Sequence, residues 1–130
     1  MNKQIEYYTL KLEFHIDSAD LFSAINQGAS ICVIDARRPN AFDEEHIPLA
    51  SNFPHREMNE HTTRNLSYSV TYVVYCDGIG CNASTKGALK LSQLGFNVKE
   101  LLGGLDWWKR DGYATQGTKS TEGEKLTCAC

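Results

Sequence analysis

Residues 72–84 change character at a single position, and that change narrows what the chain can become more than any other feature. Tyr72-Val73-Val74-Tyr75 is β-branched and aromatic, which suits a buried strand. Cys76 follows, then Asp77-Gly78-Ile79-Gly80-Cys81-Asn82, then Ala83 to Leu94 with Ala88, Leu89, Leu91 and Leu94 at helical spacing. The order is strand, glycine loop, helix. The first N–H groups of a helix lack intrahelical acceptors and sit at the positive end of its dipole, so a loop wound around them favours an anion. A thiol at the rim of such a loop ionises more readily for the same reason. Cys76 is therefore expected to be a nucleophile held in an anion cradle.

The rest of the chain supplies alternating strands and helices. Tyr7 to Ile16 alternates partly through Leu10, Leu12 and Phe14 and predicts a first strand. Asp17 or Ser18 caps a helix running to Ala24 or Ile25, closed by Gln27-Gly28. Ile31-Cys32-Val33-Ile34 is wholly apolar, as a strand buried on both faces would be. A polar turn from Asp35 to Asn40 follows, then a helical turn over Ala41 to Glu45, a brief strand near Ser51 to Pro54, and a surface helix or loop over Glu57 to Asn65. Past the central helix come a strand at Val98 to Leu102, the turn Gly103-Gly104 and a short helix from Leu105 to Arg110. This alternation predicts an α/β domain with a mostly parallel sheet, whose site lies at the carboxyl ends of the strands with Asp35 and Cys76. The domain is placed at residues 1–115, and the Thr-, Gly- and Ser-rich residues 116–130 are expected to form a flexible tail.

Composition excludes several classes. A net charge of −3 offers no basic surface for nucleic acid. Met1 to Asp20 holds no apolar run long enough for a signal peptide or membrane span, so the expected location is cytoplasmic, with no membrane partner. Cys32, Cys76, Cys81, Cys128 and Cys130 make an odd count, unlike a structural disulfide framework. Cys32, inside an apolar run, is expected in the core. Cys128 and Cys130 give two thiols, which do not complete a zinc site, and no metal is expected.

Three segments in order resemble the rhodanese family of sulfurtransferases over roughly residues 12 to 114. They are Val33-Ile34-Asp35-Ala36-Arg37 with Phe42 and His46 to Pro54; Tyr75-Cys76 with its glycine loop; and Leu102-Gly103-Gly104 with Trp108 and Gly112-Tyr113. The resemblance implies a rhodanese-like α/β fold: about five mostly parallel strands with helices on both faces. It also implies an enzyme whose loop-entry cysteine, here Cys76, accepts a sulfane sulfur as a persulfide. Asp77, Gly78, Ile79, Gly80, Cys81, Asn82 and Ala83 would surround the outer sulfur, with backbone donors from Gly78 to Ala83. The implied partner is a small sulfur donor or anion, or a sulfur-donating or sulfur-accepting protein, and no cofactor is called for.

The loop departs from the family's common pattern in three ways. With six residues between Cys76 and Ala83 it is one residue longer, a width that relatives of this fold use in dual-specificity phosphatases and some arsenate reductases. Those enzymes clamp the oxyanion with an arginine near the loop's end, where this chain has Asn82. Asp77 opposes ionisation of its neighbour Cys76, and Lys86 offsets it only if its side chain folds back toward the loop. Cys81 either resolves a Cys76 persulfide into a disulfide, takes the sulfur onward, or packs passively. Asp35 and Arg37 are read as supports that pair and cap the loop. His46 has no evident partner, and Trp107 and Trp108 are expected to cover the sheet edge.

The leading function is a sulfurtransferase or persulfide carrier, moving sulfur from a donor such as thiosulfate to a thiophilic acceptor through Cys76. The alternatives are a thiol-dependent phosphatase or arsenate reductase on the same fold, and a non-catalytic module that binds a partner or senses redox state.

Overall fold

Five short strands make one all-parallel sheet in the computed structural model, which describes residues 2–127. They are β1 (His15–Ile16), β2 (Ile31–Asp35), β3 (Ser51–Asn52), β4 (Thr71–Tyr75) and β5 (Asn97–Leu101), ordered β1-β5-β4-β2-β3. The helices are α1 (Lys3–Phe14), α2 (Ser18–Asn26), α3 (Pro39–Glu44), α4 (Ala83–Gln93) and α5 (Gly104–Arg110), with a 3-10 turn at His55–Glu57. The two apolar runs pair in register from Ile31 opposite Thr71 to Asp35 opposite Tyr75. That register ends β2 and β4 at the same level, so the residues after Asp35 and after Tyr75 emerge side by side.

Alternation along the strands builds a core on each face of the sheet. Val33, Val73 and Tyr75 face Leu21, Phe22 and Ile25 of α2 and Leu105 and Trp108 of α5. Ile34, Tyr72, Val74 and Val98 face the opposite way, against Leu91 of α4 with Met58 and Phe96. Burying a side chain such as Leu91 completely is worth about 1.5–3 kcal/mol. Gly87 lets α4 lie close on the sheet: a Cβ there would stand 3.3 Å from Val74 Cγ1 and 3.4 Å from Met58 Cε. α2 begins at the expected cap, the Asp17 carboxylate accepting from Asp20 N–H at 2.8 Å.

The structure departs from expectation at both ends. The alternating residues Tyr7 to Phe14 form most of α1, and the first strand is confined to His15–Ile16. Asn2 starts that helix, its Oδ1 accepting from Gln4 N–H at 2.7 Å, and no residue of α1 is buried. Alternation over so few apolar residues does not separate a strand from a helix, so period alone misleads there. Pro39 likewise opens α3 at its first position, where a missing N–H costs nothing. At the other end, residues 115–127 lie against the domain. Gln116 pairs antiparallel with His46, Leu126 packs on the α2 core, and Thr115 and Thr121 donate to Glu45 at 2.6 Å each. Cys128 and Cys130 fall outside the described residues.

Candidate active site

β4 delivers Cys76 to the carboxyl edge of the sheet, and the loop from Asp77 to Asn82 bends back over it. The Cys81 N–H donates to the Gly78 carbonyl at 3.2 Å, which tightens the turn. Cys76 and Cys81 are joined by a disulfide, with their Cα atoms 6.2 Å apart. The N–H groups of Asp77, Gly78, Ile79, Gly80 and Asn82 meet no protein acceptor among the described residues. Ala83 begins α4, as expected, but the Asn82 side chain does not cap it.

The closing segment Leu102-Gly103-Gly104 fixes the loop from behind. Leu105 N–H donates to the Cys76 carbonyl at 2.9 Å and Asp106 N–H to the Asp77 carbonyl at 2.8 Å. The approach requires glycine: Gly104 has φ 57°, and a Cβ on it would fall on the Cys76 carbonyl oxygen. The first amides of α5 are thus spent on loop carbonyls.

Facing the loop is a braced arginine. Asp35, fully buried, accepts from the Arg37 backbone N–H at 2.9 Å, from Nε at 3.0 and 3.2 Å and from Nη2 at 2.8 Å. Arg37 Nη1 donates to Asp77 at 2.9 Å, and Nη2 also donates to the Glu45 carbonyl. Asn52 on β3 donates to the carbonyls of Asp35 at 3.1 Å and Arg37 at 2.9 Å. Burial disfavours the Arg37 charge, but its bonds to Asp35 and Asp77 outweigh this and push its pKa further up, so it is a permanent cation. Burial and the nearby Asp35 carboxylate also raise the Tyr75 phenol, which stays neutral and accepts from Ile47 N–H at 3.0 Å.

Between loop and brace lies a cavity of about 430 Å³, lined by Arg37, Arg38, His55, Arg56, Cys76, Asp77 and Cys81 among others. A larger cavity of about 780 Å³ lies between Pro48-Leu49 and residues 114–126 and does not reach the loop. Burial lowers the His55 pKa, helped by the cations Lys90, Lys86 and Arg56, so its ring is uncharged near neutral pH. With the disulfide closed, one ligand atom each from Cys76, Asp77 and Cys81 lies within 4.8 Å of the others, a set one short of a closed four-ligand zinc site.

The structure therefore brings together Cys76, Asp77, Cys81, Ala83 and Arg37, with Asp35 behind them. Gly80 and Ile79 form the exposed tip of the loop. Lys86 is exposed on α4 and does not line the cavity; the Asp77 charge is answered by Arg37 instead. His46 stacks on Phe42 at 3.9 Å and its Nδ1 meets the Phe42 carbonyl at 2.7 Å, outside the cavity. Trp108 is fully buried, its Nε1–H donating to the Ala114 carbonyl at 3.0 Å, while Trp107 is exposed. Cys32 is half-buried in the sheet, and burial raises its pKa. Sequence reasoning missed Arg38, His55 and Arg56. The available signal was position, since they follow β2 and β3 at the same edge as Cys76.

Residues 18–111 match the rhodanese-like domain family. The chain is 40% identical to the BH2092 protein of Bacillus halodurans, with a TM-score of 0.86 over 95% of this chain and 90% of that one. It is 29% identical to a rhodanese-related protein of Thermoplasma volcanium, with a TM-score of 0.68 over 78% of this chain and 96% of that one. A thiosulfate sulfurtransferase of Pseudomonas aeruginosa is 27% identical, with a TM-score of 0.67 over 78% of this chain and 19% of that longer one. No curated protein matches the chain. No described helix is long and apolar enough to cross a membrane. With the five parallel strands, the cysteine loop and the matched span in agreement, the chain belongs to the rhodanese-like family.

Proposed function

We propose that the chain is a sulfurtransferase or persulfide carrier that takes a sulfane sulfur from an anionic donor such as thiosulfate and passes it to a thiophilic acceptor through Cys76. The supporting observation is the cavity at Cys76, whose opposite wall carries Arg38 and Arg56 in addition to the neutralised Arg37. Among the described residues neither Arg38 nor Arg56 is in an ion pair, so their charge is available to a small anion.

The reaction begins once the Cys76–Cys81 disulfide is reduced. Thiolate Cys76 attacks the outer sulfur of thiosulfate, the sulfur–sulfur bond of the donor breaks, and sulfite leaves with the electron pair. The persulfide anion that remains on Cys76 is favoured by the loop N–H groups and by the dipole of α4. An acceptor then attacks the terminal sulfur and Cys76 leaves as thiolate. No step calls for a cofactor.

The oxyanion alternative, a phosphatase or arsenate reductase, lacks a loop arginine to fork onto the oxyanion from Asp77 to Asn82. A module that only senses redox state through Cys76 and Cys81 would leave the cationic wall without a purpose. The test is turnover of thiosulfate with cyanide by reduced protein. Thiocyanate formation that disappears in Cys76→Ser supports the reading; no thiocyanate, or formation that survives the substitution, removes it.

A further inference from the structure

We infer that Cys81 is a resolving cysteine: it discharges the Cys76 persulfide internally, releasing hydrosulfide and leaving the Cys76–Cys81 disulfide. The chain would then have a sulfide-releasing activity beside transfer to an outside acceptor. This rests on the sulfurtransferase reading and adds a second fate for the same intermediate.

The loop is built to bring the two sulfurs together. Their Cα atoms are 6.2 Å apart, within the roughly 4.4–6.8 Å span of disulfides, and the disulfide closes with β4 and α4 both in place. The bond from Cys81 N–H to the Gly78 carbonyl at 3.2 Å turns residue 81 back toward residue 76. Passive packing does not account for Cys81, which is half-buried, lines the cavity and belongs to neither hydrophobic core. The longer loop thus has a use other than enclosing a larger anion.

The step balances without an outside oxidant. The Cys81 sulfur attacks Cys76 Sγ, the bond from Cys76 Sγ to the terminal sulfur breaks, and its electron pair leaves with that terminal sulfur. The proton given up by Cys81 goes to the departing sulfur, which becomes hydrosulfide. Cys81 is oxidised from thiol to disulfide, and the terminal sulfur is reduced to sulfide.

A dithiol reductant, small molecule or protein, completes the cycle by supplying two electrons. Cys76 is only 2% exposed, whereas Cys81 is accessible, so the reductant attacks Cys81. Cys76 is then the leaving group, and the loop amides that favour its thiolate speed its departure. The order of attack restores the nucleophile first.

The experiment treats reduced protein with one equivalent of thiosulfate and no further reductant, then follows hydrosulfide, intact mass and cysteine connectivity. Unsubstituted protein is expected to release one equivalent of hydrosulfide and end two hydrogens lighter, with a Cys76–Cys81 disulfide. Cys81→Ser and Cys81→Ala are expected to keep the added sulfur at least about tenfold longer. Retention of the sulfur by unsubstituted protein as long as by the variants overturns the inference and leaves the sulfurtransferase reading standing, as does a disulfide from Cys76 to another cysteine. If no form ever gains sulfur, both readings fall.

Discussion

Arg37 Nη1 meets the Asp77 carboxylate at 2.9 Å, joining the second residue after β2 to the first residue of the loop across 40 positions of sequence. The acid beside Cys76 is therefore answered by a cation that is itself anchored on buried Asp35. Replacing Arg37 by Ala strands Asp35 as an unpaired buried carboxylate. The expected loss is about 3–5 kcal/mol in denaturant unfolding, with sulfur loading impaired in whatever remains folded. A loss below about 1 kcal/mol would show that the brace is not structural.

Asp77→Asn acts in the opposite sense on chemistry. It removes a negative charge next to Cys76 and frees Arg37 from neutralising it, and both changes favour thiolate. Alkylation of reduced Cys76, followed against pH, should shift to lower pH and run a few-fold faster below neutrality. An unchanged profile would mean that the carboxylate is fully cancelled by Arg37.

Arg38 and Arg56 are predicted to attract the donor without holding the fold. Arg38→Ala or Arg56→Ala should raise KM for thiosulfate about fivefold each, the equivalent of about 1 kcal/mol, with little change in melting temperature. Added salt should weaken donor binding by the unsubstituted protein more than by the double variant. Equal salt sensitivity would remove these two residues from the site.

Gly104→Ala tests the hold of α5 on the loop. A Cβ at φ 57° that also collides with the Cys76 carbonyl should cost at least about 2 kcal/mol and slow sulfur loading, even though position 104 does not line the cavity. Full stability and activity would mean that the loop adjusts freely.

Glu45 controls how residues 115–121 are held. Burial would raise its pKa, but bonds from Thr115, Thr121 and Lys109 outweigh that and hold the carboxyl below its ordinary value of 4.5. The folded state thus binds this proton less readily than the unfolded chain does. Its contribution is complete above the unfolded value and is lost as pH falls through the folded one. Glu45→Gln should cost about 1.5–3 kcal/mol at neutral pH and flatten the acid limb of the stability profile.

What the sequence disclosed and what it hid follow from how local each cause is. The runs Ile31 to Ile34 and Tyr72 to Tyr75 are read directly, because strands covered on both faces have no polar alternative. The loop start at Cys76 and the helix start at Ala83 depend on glycine and on period, and both stand. The N-terminal helix reads as a strand in the sequence because Leu10, Leu12 and Phe14 alternate, while the cap at Asn2 is one residue's side chain. Polar composition suggested a loose segment after Thr115, yet Thr115 and Thr121 are ligands for a carboxylate 70 and 76 positions away. Arg38 and Arg56 escaped for the same reason: only the pairing of β2 with β3 and β4 gathers them beside Cys76.

The most direct measurement locates the transferred sulfur. Reduced Cys81→Ser, incubated with thiosulfate and digested, should carry one additional sulfur on the peptide containing residue 76, removable by a dithiol. Absence of that sulfur, or its appearance on a peptide containing Cys32 instead, would contradict an account in which the loop amides and the cationic wall serve a persulfide at Cys76.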